Sequence, residues 1–179
     1  MSEAVSRAAK TMPLSLSRLM RNIRRNHALE HATVHVLSRS LPSLRVVGRT
    51  TPMGFYLYGD IDTELVEEAV REAADTLKEN PDLAVHSRCG TSLAVTAMLA
   101  GLAAFAAESL PARSRWMKLP SVLLASLWGV LVAQPLGLAM QRTITTDSDV
   151  EGAVVGPVRK ETVRGVTTHF VPIWWEQRE

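Results

Sequence analysis

The stretch L-P-S-V-L-L-A-S-L-W-G-V-L-V-A-Q-P-L-G-L-A-M-Q, residues 119–141, contains no charged side chain and decides how the chain is organised. A helix of this length crosses the roughly 30 Å hydrocarbon core of a bilayer. Residues 91–107, T-S-L-A-V-T-A-M-L-A-G-L-A-A-F-A-A, are also uncharged, and a short polar loop joins the two stretches. We predict a transmembrane helical hairpin over residues 91–141. The alternative is a buried helical pair inside a soluble domain.

Small side chains recur every four residues along the second stretch, and this pattern favours the membrane hairpin. Such a ridge lets two helices approach closely where no hydrophobic effect drives them together. Ala97 and Gly101 are predicted to be the matching pair on the first stretch, and Gln134 is a place to look for a hydrogen bond between the helices. The ridge consists of Ser121, Ala125, Gly129, Ala133 and Gly137.

The chain on either side of the hairpin predicts an α+β fold. Residues 16–40 and 62–79 have apolar side chains at helical spacing. Two β-type runs between them, L-R-V-V-G-R-T and G-F-Y-L-Y-G-D, surround the turn T-P-M-G and predict a hairpin. A short strand, L-A-V-H, is expected before the first membrane helix.

The C-terminal part is also expected to be rich in strands, because T-I-T-T, G-A-V-V and T-H-F-V-P-I alternate or are β-branched. These strands are expected to return to the sheet that begins before the hairpin. The predicted domains are an α+β domain with a histidine helix over 1–90, the transmembrane hairpin over 91–141, and a β-rich tail over 142–179 that packs on the N-terminal domain.

Charge is nearly balanced overall, with a formal net charge of +2, but the first 25 residues are basic. Such a segment suits the anionic surface of a bilayer, and a solvated helix face is the alternative. No aromatic or glycine pattern accompanies the arginines, so no nucleic-acid partner is expected. The basic side chains are Arg7, Lys10, Arg18, Arg21, Arg24 and Arg25, against the single acid Glu3.

The cysteine content and the residues before the hairpin indicate the compartment and the membrane topology. Cys89 is the only cysteine, so no disulfide within the chain is expected. No apolar run long enough for a signal peptide comes before residue 91. We therefore expect an integral membrane protein with two spans, a lipid bilayer as its partner and both termini in the cytoplasm.

Three of the five histidines fall in the stretch N-H-A-L-E-H-A-T-V-H-V-L, residues 26–37. At about 100° per residue, His27, His31, His35 and Glu30 share one side of a helix. Imidazoles at i and i+4 can bind one metal ion. His27 and His35 are separated by about 12 Å of helical rise, too far for one tetrahedral ion. We predict that His27 and His31 bind the metal and that His35 supports them from a second shell.

The sequence H-A-L-E-H resembles the H-x-x-E-H signature of the inverzincins, a class of zinc peptidases. The resemblance implies zinc as the cofactor on His27 and His31, with Glu30 as the catalytic base that deprotonates metal-bound water. The third ligand in that class is a later glutamate, for which Glu67, Glu68 and Glu72 would be the counterparts. His86 and Cys89, just before the first membrane helix, are the other candidates for metal ligands.

A wider resemblance is to a bacterial family of two-span membrane proteins classed as a domain of unknown function. It is carried by N-H-A-L-E-H-A, G-F-Y-L-Y-G-D and A-V-H-S-R-C-G-T followed by the hairpin, within residues 26–140. This resemblance implies the architecture and no particular chemistry.

The function expected from these patterns is a membrane-anchored, zinc-dependent hydrolase of the metallopeptidase type, acting on a protein or peptide. The alternatives are a non-catalytic membrane protein that binds a metal or haem, or a structural subunit of a membrane complex; a homo-oligomer is also left open. For Cys89 alone, a small buried side chain is the simplest interpretation. His169 is expected to be a strand residue without a role.

Overall fold

The structure is a computed structural model that describes residues 16–41, 43, 45–87, 89–111, 115–163 and 165–176. Arg7 and Lys10 of the basic N-terminal segment lie outside the described residues. The chain divides into two compact units, which are described separately. The α+β unit contains the chain up to Val85 and from Ile144 onward, and the hairpin unit is His86–Thr143.

The described residues of the α+β unit form two helices, a 3₁₀ turn and a five-stranded antiparallel sheet. The strand order is β1-β2-β5-β3, and β4 also pairs with β5. The last strand therefore lies beside the hairpin formed by the first two. The elements are α1 (Leu16–Ser40), β1 (Val47–Thr51), β2 (Gly54–Tyr58), α2 (Thr63–Glu79), the 3₁₀ turn Pro81–Ala84, β3 (Ala153–Val155), β4 (Arg159–Val163) and β5 (Val166–Trp175).

The core of this unit lies between the two helices and one face of the sheet. Side chains alternate along a strand, so Phe55 and Leu57 of β2 are fully buried against the helices, while Tyr56 and Tyr58 lie on the opposite, open face. The predicted β1–β2 hairpin is present in register, with Gly54 at a φ of 138° that favours glycine. The helical residues of this core include Leu29, Leu37, Val66, Val70 and Leu77.

Two short segments differ from the predicted strands. The strand predicted over L-A-V-H, residues 83–86, is wrong: a 3₁₀ turn over Pro81–Ala84 includes its first half, with Pro81 at its start and the Asn80 side chain accepting from the backbone N–H of Asp82. Residues Gln141–Thr145 continue the preceding helix as a π-helix, where a strand was predicted from residue 143. The pattern also missed β4, whose five residues are all exposed and so show no apolar alternation.

The hairpin unit consists of α3 (Gly90–Glu108) and α4 (Arg115–Met140), followed by the start of the π-helical segment. Two helices in this structure are long and apolar enough to cross a membrane, over Gly90–Glu108 and Lys118–Thr145. Only 17% and 11% of their most apolar windows are buried, unlike the helices of a soluble core.

Packing of α3 on α4 uses the predicted ridge on α4 but a different face of α3. A Cβ atom added at Gly129 would come within 2.7 Å of the Leu99 carbonyl oxygen, and Ala133 is fully buried. The predicted partner pair on α3 is wrong: Ala97 is exposed, and nothing lies within 4 Å of a Cβ atom at Gly101. These two residues lie on the side of α3 opposite Ser92, which is buried against the ridge.

A glutamine joins the two ends of the hairpin unit, but it is Gln141 rather than the exposed Gln134. The Gln141 side chain accepts from the backbone N–H of His86 at 2.8 Å and donates to the carbonyl of the same residue at 3.0 Å. It also donates to Ser92 Oγ at 2.7 Å. Three hydrogen bonds satisfy this fully buried amide and hold the segment that leads into α3.

Candidate metal centre

Helix α1 places His27 and His31 at the edge of the core. Ala28, Leu29 and Ala32 on the same helix are fully buried and hold this part of α1 against the core. The two imidazole rings lie one turn apart, with His31 3% exposed and His27 half-buried. Packing therefore limits the rotation of both rings.

The two rings are close enough to share a metal ion. Their centroids are 4.3 Å apart at an interplanar angle of 62°. One ring nitrogen of His27 lies within 4.8 Å of one ring nitrogen of His31. Two nitrogens bound to the same tetrahedral zinc at about 2.0–2.1 Å are roughly 3.3 Å apart. The 4.8 Å limit includes that separation.

The Nδ1 atoms of both rings are held by backbone carbonyl groups. His27 Nδ1 is 2.9 Å from the Thr145 carbonyl oxygen, and His31 Nδ1 is 2.7 Å from that of Ala84. A carbonyl oxygen only accepts, so Nδ1 carries the proton and Nε2 is the unprotonated nitrogen in each neutral ring. This is the arrangement usually found around metal-bound histidines, in which the second nitrogen donates to a carbonyl or carboxylate.

His35 uses its other ring nitrogen. Its Nε2 atom is 3.1 Å from the Val85 carbonyl oxygen, so Nε2 carries the proton. His31 and His35 therefore hold two consecutive residues, Ala84 and Val85, at the end of the α+β unit. This contact fixes the tautomer of His35, and its support of the metal ligands stays a prediction.

The Glu30 carboxylate is directed toward β1. Thr50 Oγ1 donates to Glu30 Oε2, and a Cβ atom at Gly48 would collide with the other end of the same carboxylate. Glu30 is 6% exposed. The absence of a side chain at Gly48 thus makes the space that this carboxylate occupies.

His86 and Cys89 belong to the hairpin unit, at the start of α3. Cys89 is the N-cap of α3, and its Sγ atom accepts from the backbone N–H of Thr91 at 3.4 Å. The backbone N–H of Cys89 donates to the His86 carbonyl at 3.2 Å. Together with the Gln141 amide, these bonds order the segment that carries both candidate ligands.

The glutamates of α2 do not join the histidine pair. Glu72 is exposed and forms an ion pair with Arg39 at 2.5 Å. Among the residues that the structure describes, no group of three potential metal ligands includes Glu67, Glu68 or Glu72. The glutamate pattern of the inverzincins therefore has no counterpart on this helix.

Several groups that contact one or another of the candidate residues were not predicted from the sequence. The carbonyls of Ala84 and Thr145 carry no residue-specific signal, because every residue has a carbonyl group. Thr50 and Gly48 follow from the strand register, and Gln141 stands at the polar end of an apolar stretch. Of these groups, Gln141 is the one that the sequence could have indicated, because a polar side chain ends an otherwise apolar stretch.

His169 lies away from the histidine pair, on β5, and is fully buried. Its Nε2 atom is 3.4 Å from Thr63 Oγ1, and within the described chain Nδ1 has no hydrogen-bond partner. Burial, and to a smaller extent the charge of Lys160, lower the pKa of His169 below its usual value of 6.5. The neutral ring is therefore the form that the folded protein favours.

This lowered pKa predicts that the protein loses stability in mild acid. Below about pH 6.5 the unfolded chain binds a proton at His169 that the folded protein does not, so the free energy of unfolding falls until pH drops below the folded pKa. Thermal unfolding midpoints of the wild type and His169→Asn, measured across this range, test the prediction. We expect a flatter pH dependence in the variant, and an equal slope would contradict the assignment.

Comparison with known proteins identifies a domain of unknown function, which is the part of the wider resemblance that it tests. The sequence model of the family described as "Domain of unknown function (DUF6391)" matches residues 22–158. The chain belongs to this family. It is also 34% identical over 168 residues to an uncharacterized protein of Picosynechococcus sp., an alignment that covers 88% of this chain and 82% of the relative. No solved structure matches the chain. The matched region includes the three histidines of α1 and both apolar helices.

Proposed function

We propose that this member of the family is a membrane-anchored zinc-binding protein, with His27 and His31 as metal ligands. The observation that carries the proposal is the pair of Nδ1 contacts to the carbonyls of Thr145 and Ala84. These contacts leave the metal-binding form of each ring, with Nε2 unprotonated, on neighbouring turns of one helix. A buried histidine without a metal would also need an acceptor for its N–H, so the proposal depends on both rings presenting Nε2 on adjacent turns.

A third ligand is proposed from His86 and Cys89. His31 and His35 hold Ala84 and Val85, and the chain continues directly from Val85 to His86. Either an imidazole or a thiolate beside two imidazoles suits zinc. Three protein ligands would leave the fourth position for water or a substrate atom, whereas four would make a closed structural site.

Zinc is favoured over haem by the spacing of the two rings. In a haem with two histidine ligands, the porphyrin lies between the imidazoles, which bind opposite faces of the iron. Ring centroids 4.3 Å apart on one helix leave no room for that macrocycle. A haem held by this pair would appear as a visible absorption band in the purified protein.

The metal content of the purified protein tests the proposal. We expect about one zinc ion per chain after purification in detergent without chelators, measured by inductively coupled plasma mass spectrometry. Zinc removed by a chelator should return on dialysis against zinc and raise the melting temperature, because a ligand that binds the folded state stabilises it. A protein that neither contains nor takes up zinc would overturn the proposal.

A zinc-dependent hydrolase is the second candidate, and the position of Glu30 favours it. This nearly buried carboxylate stands three residues after His27 and directly before His31. Zinc lowers the pKa of bound water toward 7, and a neighbouring carboxylate can take its proton. Glu30 would have to exchange its hydrogen bond from Thr50 for one from that water.

Glu30→Gln is expected to separate the hydrolase from a non-catalytic metal protein. Loss of a general base costs about 10²–10⁴-fold in rate, so the variant should lose zinc-dependent peptide hydrolysis while keeping its zinc. The assay is cleavage of a mixed peptide library by the detergent-purified protein. Glu79→Gln, at an exposed glutamate that ends α2, is the matched control and should keep full activity. Hydrolysis unchanged in Glu30→Gln would rule out this base.

A further inference from the structure

The open face of the sheet carries a row of side chains with a cation at each end. In register across four strands, Arg49 pairs with Tyr56, Tyr56 with Phe170, and Phe170 with Arg159. Paired residues in a sheet point to the same face, so all four side chains lie on the face opposite the helices. We call this the arginine–aromatic row.

Contacts within the row are close. The Tyr56 and Phe170 ring centroids are 4.7 Å apart, and Arg159 Cζ lies 4.9 Å from the Phe170 centroid. Beside the row is an open groove of about 420 Å³, whose lining includes Met53 and Trp174. With adjacent strands about 4.8 Å apart, the two arginines stand roughly 14 Å from each other.

Among the paired strand residues of this face, two arginines stand against one acid, so the charge of the face is positive. Within the described chain, neither Arg49 nor Arg159 has a carboxylate within ion-pair distance. Glu161 is the acid on the same face of β4, one pleat along from Arg159. The face therefore suits an extended anionic surface that can meet two separated guanidinium groups.

Exposed aliphatic side chains surround the row. Val47 is 65% exposed and Met53 is 56% exposed, and Val163 and Val166 are nearly half exposed at the far end of the β4–β5 hairpin. Apolar side chains beside arginines and tyrosines form the kind of surface that lies in the head-group region of a bilayer.

We propose that the open face of the sheet binds the surface of a bilayer that contains anionic phospholipids. Arg49 and Arg159 bind phosphate groups, and Val47 and Met53 enter the head-group boundary. The proposal rests on the membrane anchoring proposed above, and it is independent of the metal.

The composition of the face favours a lipid surface over a nucleic acid. Single-stranded nucleic acids bind by stacking bases on exposed aromatic rings. Phe170 is only 8% exposed, with Arg159 and Tyr56 both packed against its ring, and Tyr56 itself is half-buried. Exposed aliphatic residues add nothing to base stacking, but they match the apolar boundary of a bilayer.

A fluorescent label in the groove tests the proposal in the full chain. The new thiol of the Met53→Cys variant is labelled with an environment-sensitive nitrobenzoxadiazole group. The labelled protein is placed in nanodiscs of phosphatidylcholine alone or of phosphatidylcholine mixed with phosphatidylglycerol. We expect a blue shift of emission and quenching by spin-labelled lipid only when phosphatidylglycerol is present. The wild type, in which Cys89 is buried, measures background labelling, and Glu68→Cys on exposed α2 is the control site.

Arginine variants then identify the groups that bind the lipid. Each arginine near an anionic surface contributes about 1 kcal/mol, so Arg49→Gln and Arg159→Gln should each lower the ratio of docked to undocked protein about fivefold. Arg71→Gln, an exposed arginine on α2, should leave it unchanged. High salt should reduce docking in the wild type.

Three results would overturn the proposal. The label on Met53→Cys could give equal signals with and without phosphatidylglycerol in a protein that enters the nanodiscs. That result would contradict docking of the sheet face but not the membrane anchoring. Failure to enter nanodiscs at all would overturn the membrane anchoring and the docking with it. A signal produced by an oligonucleotide or an acidic peptide, but not by phosphatidylglycerol, would assign the face to another partner.

Discussion

Replacing His31 with alanine is expected to empty the proposed zinc site. His31 supplies one of the two imidazoles, and its Nδ1 contact to Ala84 holds the chain just before His86. A site reduced to His27 and one further ligand would bind zinc too weakly to survive purification. Zinc should fall from about one ion per chain to background, measured beside the wild type by mass spectrometry. His27→Ala should behave in the same way.

His35→Ala is the matched control, because it removes a histidine from the same helix one turn further on. Its Nε2 atom bonds to the Val85 carbonyl, so the variant should keep zinc. His31→Gln separates metal loss from a packing defect, since glutamine fills more of the buried site. We expect added zinc to raise the melting temperature of His35→Ala but not of His31→Gln. If His31→Ala retained its zinc, the assignment of His27 and His31 as metal ligands would be wrong.

Gly129→Leu is expected to give the largest loss of stability in the hairpin unit. A Cβ atom at this position would come within 2.7 Å of the Leu99 carbonyl oxygen and 2.8 Å of Ala100 Cα. Both are backbone atoms, so α3 and α4 must separate to admit a larger side chain. Overpacking of this kind costs typically about 1–3 kcal/mol, and we expect the upper end of that range. Unfolding by titration with sodium dodecyl sulfate measures the loss.

The same substitution at Gly101 provides the control. Gly101 is on the partner helix, and nothing lies within 4 Å of a Cβ atom added there. Gly101→Leu should therefore leave the unfolding transition nearly unchanged, apart from a gain in helix propensity. Equal losses in the two variants would mean that the helices do not meet through the small-residue ridge of α4.

Local periodicity was enough to predict several elements of the fold. The spacing of apolar residues predicted α1 and α2, and the two β-type runs around T-P-M-G predicted the β1–β2 hairpin. Strand β4 was missed because its side chains are all exposed. Its place in the sheet depends on pairing with β5, which alternation within β4 does not reveal.

The sequence patterns did not predict which residues of distant segments contact each other. The ridge on α4 follows from a four-residue repeat, but the face of α3 that it meets depends on how two apolar helices rotate against each other. Apolar residues on every side of α3 leave that rotation undetermined. The buried glutamine at position 141, rather than the one at 134, follows from the same packing.

The amino-acid sequence by itself determined that three histidines and a glutamate share one side of a helix, and that two long stretches are apolar enough to cross a membrane. Both properties depend only on residue type and spacing. Only the tertiary structure decided which nitrogen of each histidine carries the proton, because the carbonyls of Ala84 and Thr145 are 53 and 118 residues away from their partners. It also directed Glu30 toward β1, where Thr50 donates to its carboxylate and Gly48 leaves space for it.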